Sequence, residues 1–121
     1  MAQGPDMIRL LTTGLQGANL RNKVIANNLA NLDSPGFRRS EVAFEKVLAD
    51  AIEDNKPADM GENDALVFTP GGNPLNDTGN DVSLDVEVGD MVKNGAMYKT
   101  YIRLLGRMYR QMDMAMRDNG A

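Results

Sequence analysis

The chain has 121 residues, a net charge of −4 and 42% apolar residues, with nine Met, three Tyr, three Phe and no Trp, Cys or His. That length holds one domain, and the absence of Cys and His excludes thiol and imidazole catalysis, a disulfide framework and the usual zinc sites. No stretch reaches about 18 apolar residues, and MAQGPDMIRL lacks a basic start followed by an apolar run, so neither a membrane span nor a cleavable secretory signal is expected.

The net charge hides a division along the chain. Residues 1–40 carry five basic and two acidic side chains, residues 41–90 two and thirteen, and residues 91–121 six and two. Basic ends around an acidic centre predict an electrostatic interface, with basic helix ends of one copy meeting the acidic centre of the next and association weakening as salt rises.

The first periodic segment places Ile8, Leu11, Leu15, Ala18, Asn22, Ile25, Leu29 and Leu32 at alternating three- and four-residue steps, a heptad seam. It predicts a helix from Asp6 to Leu32, with Pro5 and Asp6 suited to its start. Asn22 is either a register-fixing residue in that seam or a solvated one. Ser34 precedes a proline, Pro35 presets the first corner of a turn and Gly36 accepts a positive φ, so the helix stops near Leu32 or Asp33. That leaves Asn27, Asn28 and Asn31 on its last turns, poor helix formers whose amides can bond neighbouring carbonyls or another subunit. Phe37 returns to an apolar environment, and Arg38 and Arg39 are expected at the surface.

A shorter helix is expected over Glu41 to Glu53, with Val42, Val47, Leu48 and Ile52 mostly on one side. From Asp54 to Asp81, 17 of 28 residues are Gly, Pro, Asn or Asp, which excludes a helix and leaves room for a short strand at Ala65 to Thr69. The second seam runs through Leu84, Val88, Met91, Gly95, Tyr98, Ile102, Leu105, Tyr109, Met112 and Met116, with Met97, Tyr101, Leu104, Met108 and Ala115 beside it. This apolar face is wider than one partner helix covers. Gly14, Gly17, Gly89, Gly95 and Gly106 each cost about 1 kcal/mol relative to Ala inside a helix, so both long helices are marginal alone.

The expected architecture is all-α: long N- and C-terminal helices pairing as an antiparallel or coiled-coil-like hairpin around an irregular, partly disordered central loop. Its parts are residues 1–53 (first helix, Pro-Gly turn and short second helix), 54–81 (flexible loop) and 82–121 (C-terminal coiled-coil helix).

Ala26-Asn27-Asn28-Leu29-Ala30-Asn31-Leu32-Asp33-Ser34-Pro35-Gly36-Phe37-Arg38 resembles the N-terminal signature of the bacterial flagellar basal-body rod proteins, with Ser34 where Thr is more usual. Asp77 to Glu87, DTGNDVSLDVE, is similar to the segment that leads into the C-terminal helix of proximal rod proteins. The resemblance implies a structural, non-enzymatic component without a cofactor. It would be exported by the flagellar type III apparatus, placed in the periplasmic basal body, and assembled through its terminal helices into a rod that carries torque from the membrane ring to the hook. Implied partners are other copies of the chain, other rod proteins, the membrane-ring protein or its adaptor, and the export apparatus. The alternative within this class is another helical export substrate or a ring-rod adaptor.

Two further readings are weaker. Asp81, Asp85, Glu87 and Asp90 form a carboxylate group without an accompanying base, and read as helix-start or solvated acids. Arg103, Arg107 and Arg110 share a helix face, with Arg117 beyond, but the acidic total and the missing aromatic platform argue against nucleic acid. Gly71-Gly72 lacks a following Lys-Ser and helix, so no phosphate loop and no small-molecule substrate are expected.

Overall fold

A computed structural model describes residues 4–54 and 66–120. Helix α1 spans Gly4–Ala30, strand β1 Glu41–Val42, helix α2 Phe44–Asp54, strand β2 Val67–Phe68 and helix α3 Leu84–Gly120. The two long helices of an all-α chain are present, with a two-stranded sheet as the only β element among the described residues.

Local chemistry explains the boundaries. Asp6 places a carboxylate in the first turn of α1, and Asp85 and Glu87 do the same for α3, where the Ser83 carbonyl accepts from the Glu87 N–H at 2.9 Å. Helix α1 ends two residues earlier than periodicity suggests. Asn31 N–H is shared between the carbonyls of Asn27 and Asn28, at 3.2 and 3.1 Å, and the chain turns there.

Helices α1 and α3 run antiparallel: Asn28 meets Glu87 near one end, Asn94 Nδ2 donates to the Ala18 carbonyl at 2.7 Å midway, and Tyr101 lies on Gly14 further along. Leu11, Ala18 and Ile25 supply the α1 side of the core and Leu105 the α3 side, joined by Val42, Phe44, Ala51 and Val82. On α1 two glycines act as sockets for aromatic rings. A Cβ on Gly14 would stand 2.4 Å from the Tyr101 ring, and one on Gly17 would stand 2.3 Å from the Phe44 ring. Gly95 of α3, by contrast, has nothing within 4 Å of where its Cβ would be.

Helix α2 is pinned to α1 by Arg21. Its guanidinium lies 4.5 Å from the centre of the Phe44 ring, donates to the Val42 carbonyl at 2.7 Å and pairs with both carboxylate oxygens of Glu45. Burial pushes the Glu45 carboxyl up, but the Arg21 hydrogen bond, a backbone hydrogen bond and the Arg21 charge outweigh that and hold it below its ordinary value.

Three expectations need correction. The second helix starts at Phe44 rather than Glu41, because Glu41 and Val42 pair antiparallel with Phe68 and Val67. Its inward face is built on the fully buried Phe44, and Ile52, expected inside, is 66% exposed. The expected strand over 65–69 is reduced to Val67–Phe68. Of the expected 54–81 loop, residues 55–65 lie outside the described residues; residues 69–83 are non-helical and tied into the fold by hydrogen bonds.

Two predictions follow from the packing. Gly17→Ala should lower the urea-unfolding free energy by about 1–3 kcal/mol by forcing Phe44 out of its socket, whereas Gly95→Ala should raise it by up to about 1 kcal/mol; equal effects at both sites would show that the sockets are not tight. Because Glu45 is held below its unfolded value, near 4.5, its contribution is complete above that pH and is lost as pH falls through the lowered folded value. Urea midpoints measured from about pH 7 down to about pH 3 should therefore fall less steeply in Arg21→Gln than in the parent chain.

Candidate functional site

The Asn-rich stretch and the Pro-Gly turn meet the 76–87 segment at one end of the helical pair. Phe37 N–H donates to the Ser34 carbonyl at 3.3 Å and Gly36 has φ +71°, the geometry of a turn with proline at its first corner and glycine at its second. Opposite it, Asn76 Oδ1 accepts from Thr78 N–H at 2.9 Å, Thr78 Oγ1 at 2.8 Å and Asn80 N–H at 3.0 Å, closing a tight Asx loop. Gly79, at φ +78°, occupies the left-handed corner of that loop. Gly36 N–H donates to the Thr78 carbonyl at 2.8 Å and Asp81 N–H to the Phe37 carbonyl at 3.3 Å, so the two turns are joined through their backbones.

Asn80 then completes the turn after α1. Its Nδ2 lies 2.8 Å from the Asn31 carbonyl, 3.1 Å from that of Leu32 and 2.8 Å from that of Ser34, gathering the turn that follows α1 around one amide. Its Oδ1 accepts from Val82 N–H at 2.7 Å, which aims the chain into α3. One 1% exposed side chain thereby couples the stop of one helix to the approach of the other.

Beneath this lies a buried polar network. Asn28 donates from Nδ2 to the Ser40 carbonyl at 2.9 Å and to Glu87 Oε2 at 3.1 Å, and its Oδ1 accepts from Ser40 N–H at 3.0 Å. Arg39 Nε donates to Glu87 Oε1 at 2.7 Å, its other nitrogens pair with Glu41 and, at 3.5 Å, Asp90, and its N–H donates to Asp81 Oδ1 at 2.6 Å. Asn28 and Glu87 are wholly buried and Arg39 is 6% exposed. Burial alone would lower the Arg39 guanidinium; the hydrogen bonds and charges of Glu41 and Glu87 more than reverse this and raise it, so it keeps its charge.

Arg39 is therefore not the surface residue its neighbour Arg38 is, and Asp81 and Glu87 are buried rather than solvated, Glu87 while standing in the first turn of α3. The sequence signal for Glu87 is its seven-residue spacing with Asn94 and Tyr101, on a face that the apolar pattern treats as secondary. Of the residues expected at an assembly interface, Leu11, Ile25 and Leu105 are buried, and Ile8, Leu15, Leu29, Leu32, Met91 and Met112 are half-buried. Leu84, Val88, Tyr98, Ile102 and Tyr109 are exposed. In the motif, Asn28 is buried, Asn31, Ser34 and Phe37 are half-buried, and Asn27, Pro35 and Gly36 are exposed. Asn22 is solvated.

The arrangement positions the ends of the helices relative to one another. Among the described residues no three acidic side chains gather as a metal site, and no helix is long and apolar enough to cross a membrane.

Residues 8–38, which include the turn and half of the network, match the family described as Flagella basal body rod protein. The chain is 25% identical over 114 residues to the flagellar basal body rod protein FlgB of Bacillus subtilis (strain 168), covering 87% of this chain and 88% of that protein. It is 26% identical over 117 residues to FlgB of Borreliella burgdorferi, covering 82% and 87%. Over these stretches the chain is similar to the flagellar basal-body rod proteins. A match to the rod protein FlgG of Caulobacter vibrioides, 29% identical over 92 residues, spans 76% of this chain but 29% of that one. The match to FlgB thus runs over more than four fifths of both chains, and these relatives support a structural rod component. The two segments that carry the sequence resemblance, 26–38 and 77–87, are the two that interlock at the junction.

Removing a junction partner should be costly. Glu87→Ala takes away the 2.7 Å partner of a buried guanidinium and should destabilise the chain by about 3 kcal/mol or more; Asn80→Ala, which frees the turn after α1, should cost about 1–3 kcal/mol. Hydrogen exchange should speed up across residues 28–40 in both variants. Losses within about 0.5 kcal/mol, the range of ordinary surface changes, would show that the junction does not hold the helices.

Proposed function

We propose that the rod protein assembles through the apolar stripe of α3 that its own α1 leaves uncovered, and that copies locked in this way transmit torque from the membrane ring to the hook. The observation that carries this reading is exposure along one line of α3: Leu84 is 52% exposed, Val88 44%, Ile102 46% and Tyr109 57%. Residues 113–118, the next turns of α3, are exposed throughout. The intramolecular contact uses the neighbouring stripe of Glu87, Asn94, Tyr101 and Leu105, between about a fifth and a quarter of a turn around the helix. A stripe this long is stabilised by burial against further helices, and it favours association over isolation.

The partners in this reading are other copies, other rod proteins and the membrane-ring protein or its adaptor, after passage through the flagellar type III apparatus to a periplasmic site. Torque then needs no catalytic group and no moving part. Long helices interdigitating sideways resist shear along their whole length, and the junction fixes the angle at which each copy presents its stripe. Residues 1–53, 54–81 and 82–121 serve as the N-terminal arm, the connecting loop and the C-terminal arm of that unit.

Val88→Asp and Ile102→Asp, both at exposed positions, should leave the stability of the single chain within about 0.5 kcal/mol of the parent yet remove it from isolated basal bodies and abolish motility. Basal bodies that retain either variant at the parent level, seen by electron microscopy and immunoblotting, would overturn the proposal.

A further inference from the structure

Between Asp90 and Asp113, helix α3 carries Lys93, Lys99, Arg103, Arg107 and Arg110 and no carboxylate. At 3.6 residues per turn, Lys99, Arg103, Arg107 and Arg110 fall within an arc of about 80°, facing away from the stripe that packs on α1. All four are exposed, and none forms an ion pair among the described residues. The arc borders Ile102 and Tyr109 of the uncovered apolar stripe.

Helix α2 has the complementary character. It turns Phe44 and Ala51 into the core and presents Asp50, Glu53, Lys46 and the exposed Ile52 outward, two carboxylates to one lysine, so that face is acidic on balance. Asp50 and Glu53 have no ion-pair partner among the described residues either. Its 11 residues span about 16 Å, the same length as Lys99 to Arg110. Because α2 packs on α1 while the basic arc looks away from α1, the two faces cannot meet within one chain.

We infer that α2 of a second copy lies along the Lys99–Arg110 arc, with Asp50 and Glu53 against the cations and Ile52 at the edge of the apolar stripe. The contact rests on the self-association proposed above and names its partner surface. It is heterologous: each copy offers one acidic and one basic face, so the contact repeats from copy to copy rather than closing a pair. Opposite charge sets both the pairing and its direction, and salt weakens it.

Sedimentation of the full chain at low salt tests the contact. R103E/R107E/R110E and D50K/E53K should each weaken self-association by at least about tenfold, with unchanged far-ultraviolet circular dichroism because every altered side chain is exposed. Mixing the two variants should restore association, since the reversed faces match each other and the unaltered faces still pair. Parent-like association of either variant, or no recovery on mixing, overturns the contact. So does binding of a single-stranded DNA oligonucleotide that R103E/R107E/R110E alone abolishes while self-association is unaffected, which would give the arc to nucleic acid. Recovery of R103E/R107E/R110E in basal bodies at the parent level overturns this contact but leaves the rod reading standing. Charge-swapped recovery by a chain that never enters basal bodies supports the contact and removes the rod reading.

Discussion

The rest of the structure depends on one buried ion pair, Arg39 with Glu87, held in place by Asn28. Taking a guanidinium and a carboxylate out of water costs several kcal/mol per ion, about as much as their attraction returns, so the pair persists only where its geometry and its remaining hydrogen bonds are good. Here they are: Asn28 and Ser40 exchange two bonds beside it, Asp81 accepts from the Arg39 backbone, and Glu41 and Asp90 face the guanidinium. Such a network rewards one arrangement and penalises near misses, because a shift of one residue in either helix leaves a charge buried without its partner.

Rotation of the helices follows from it. With Glu87 drawn inward at one end and the Tyr101 ring seated on Gly14 further along, α3 cannot turn its most apolar line toward α1. The heptad stripe is left half inside and half outside. Arg21 and Phe44 play the same part for α2, which closes over Gly17 and sends Asp50, Ile52 and Glu53 outward. A polar interior and two glycine sockets therefore decide which apolar and charged surfaces the subunit offers to others, and the proposed assembly uses both kinds.

The parts of the junction differ in how far they can be read from residues alone. Ser34-Pro35-Gly36 states its turn because proline restricts its own φ and the residue before it, and Gly36 tolerates the positive φ that follows. Asn80 states nothing comparable: it lies in a run of Gly, Asn and Asp that suits any loop, and its role exists only because three carbonyls of the turn after α1 stand within reach. Arg39 follows Arg38 in sequence, and the two have the same local chemistry, yet one is buried and the other solvated. The difference is made by Glu87, 48 residues away.

Periodicity and turn chemistry by themselves determined the two long helices, the stop at residues 31–36, the non-helical run at 69–83 and the excess of apolar surface on α3. These are local properties: a spacing of three and four residues, a fixed φ, a composition that no helix tolerates. Tertiary structure alone decided which stripe faces inward, which glycines receive rings and which charges are buried. Those outcomes depend on what stands opposite a residue, and a pairing such as Asn28 with Glu87 leaves no trace in either neighbourhood taken separately.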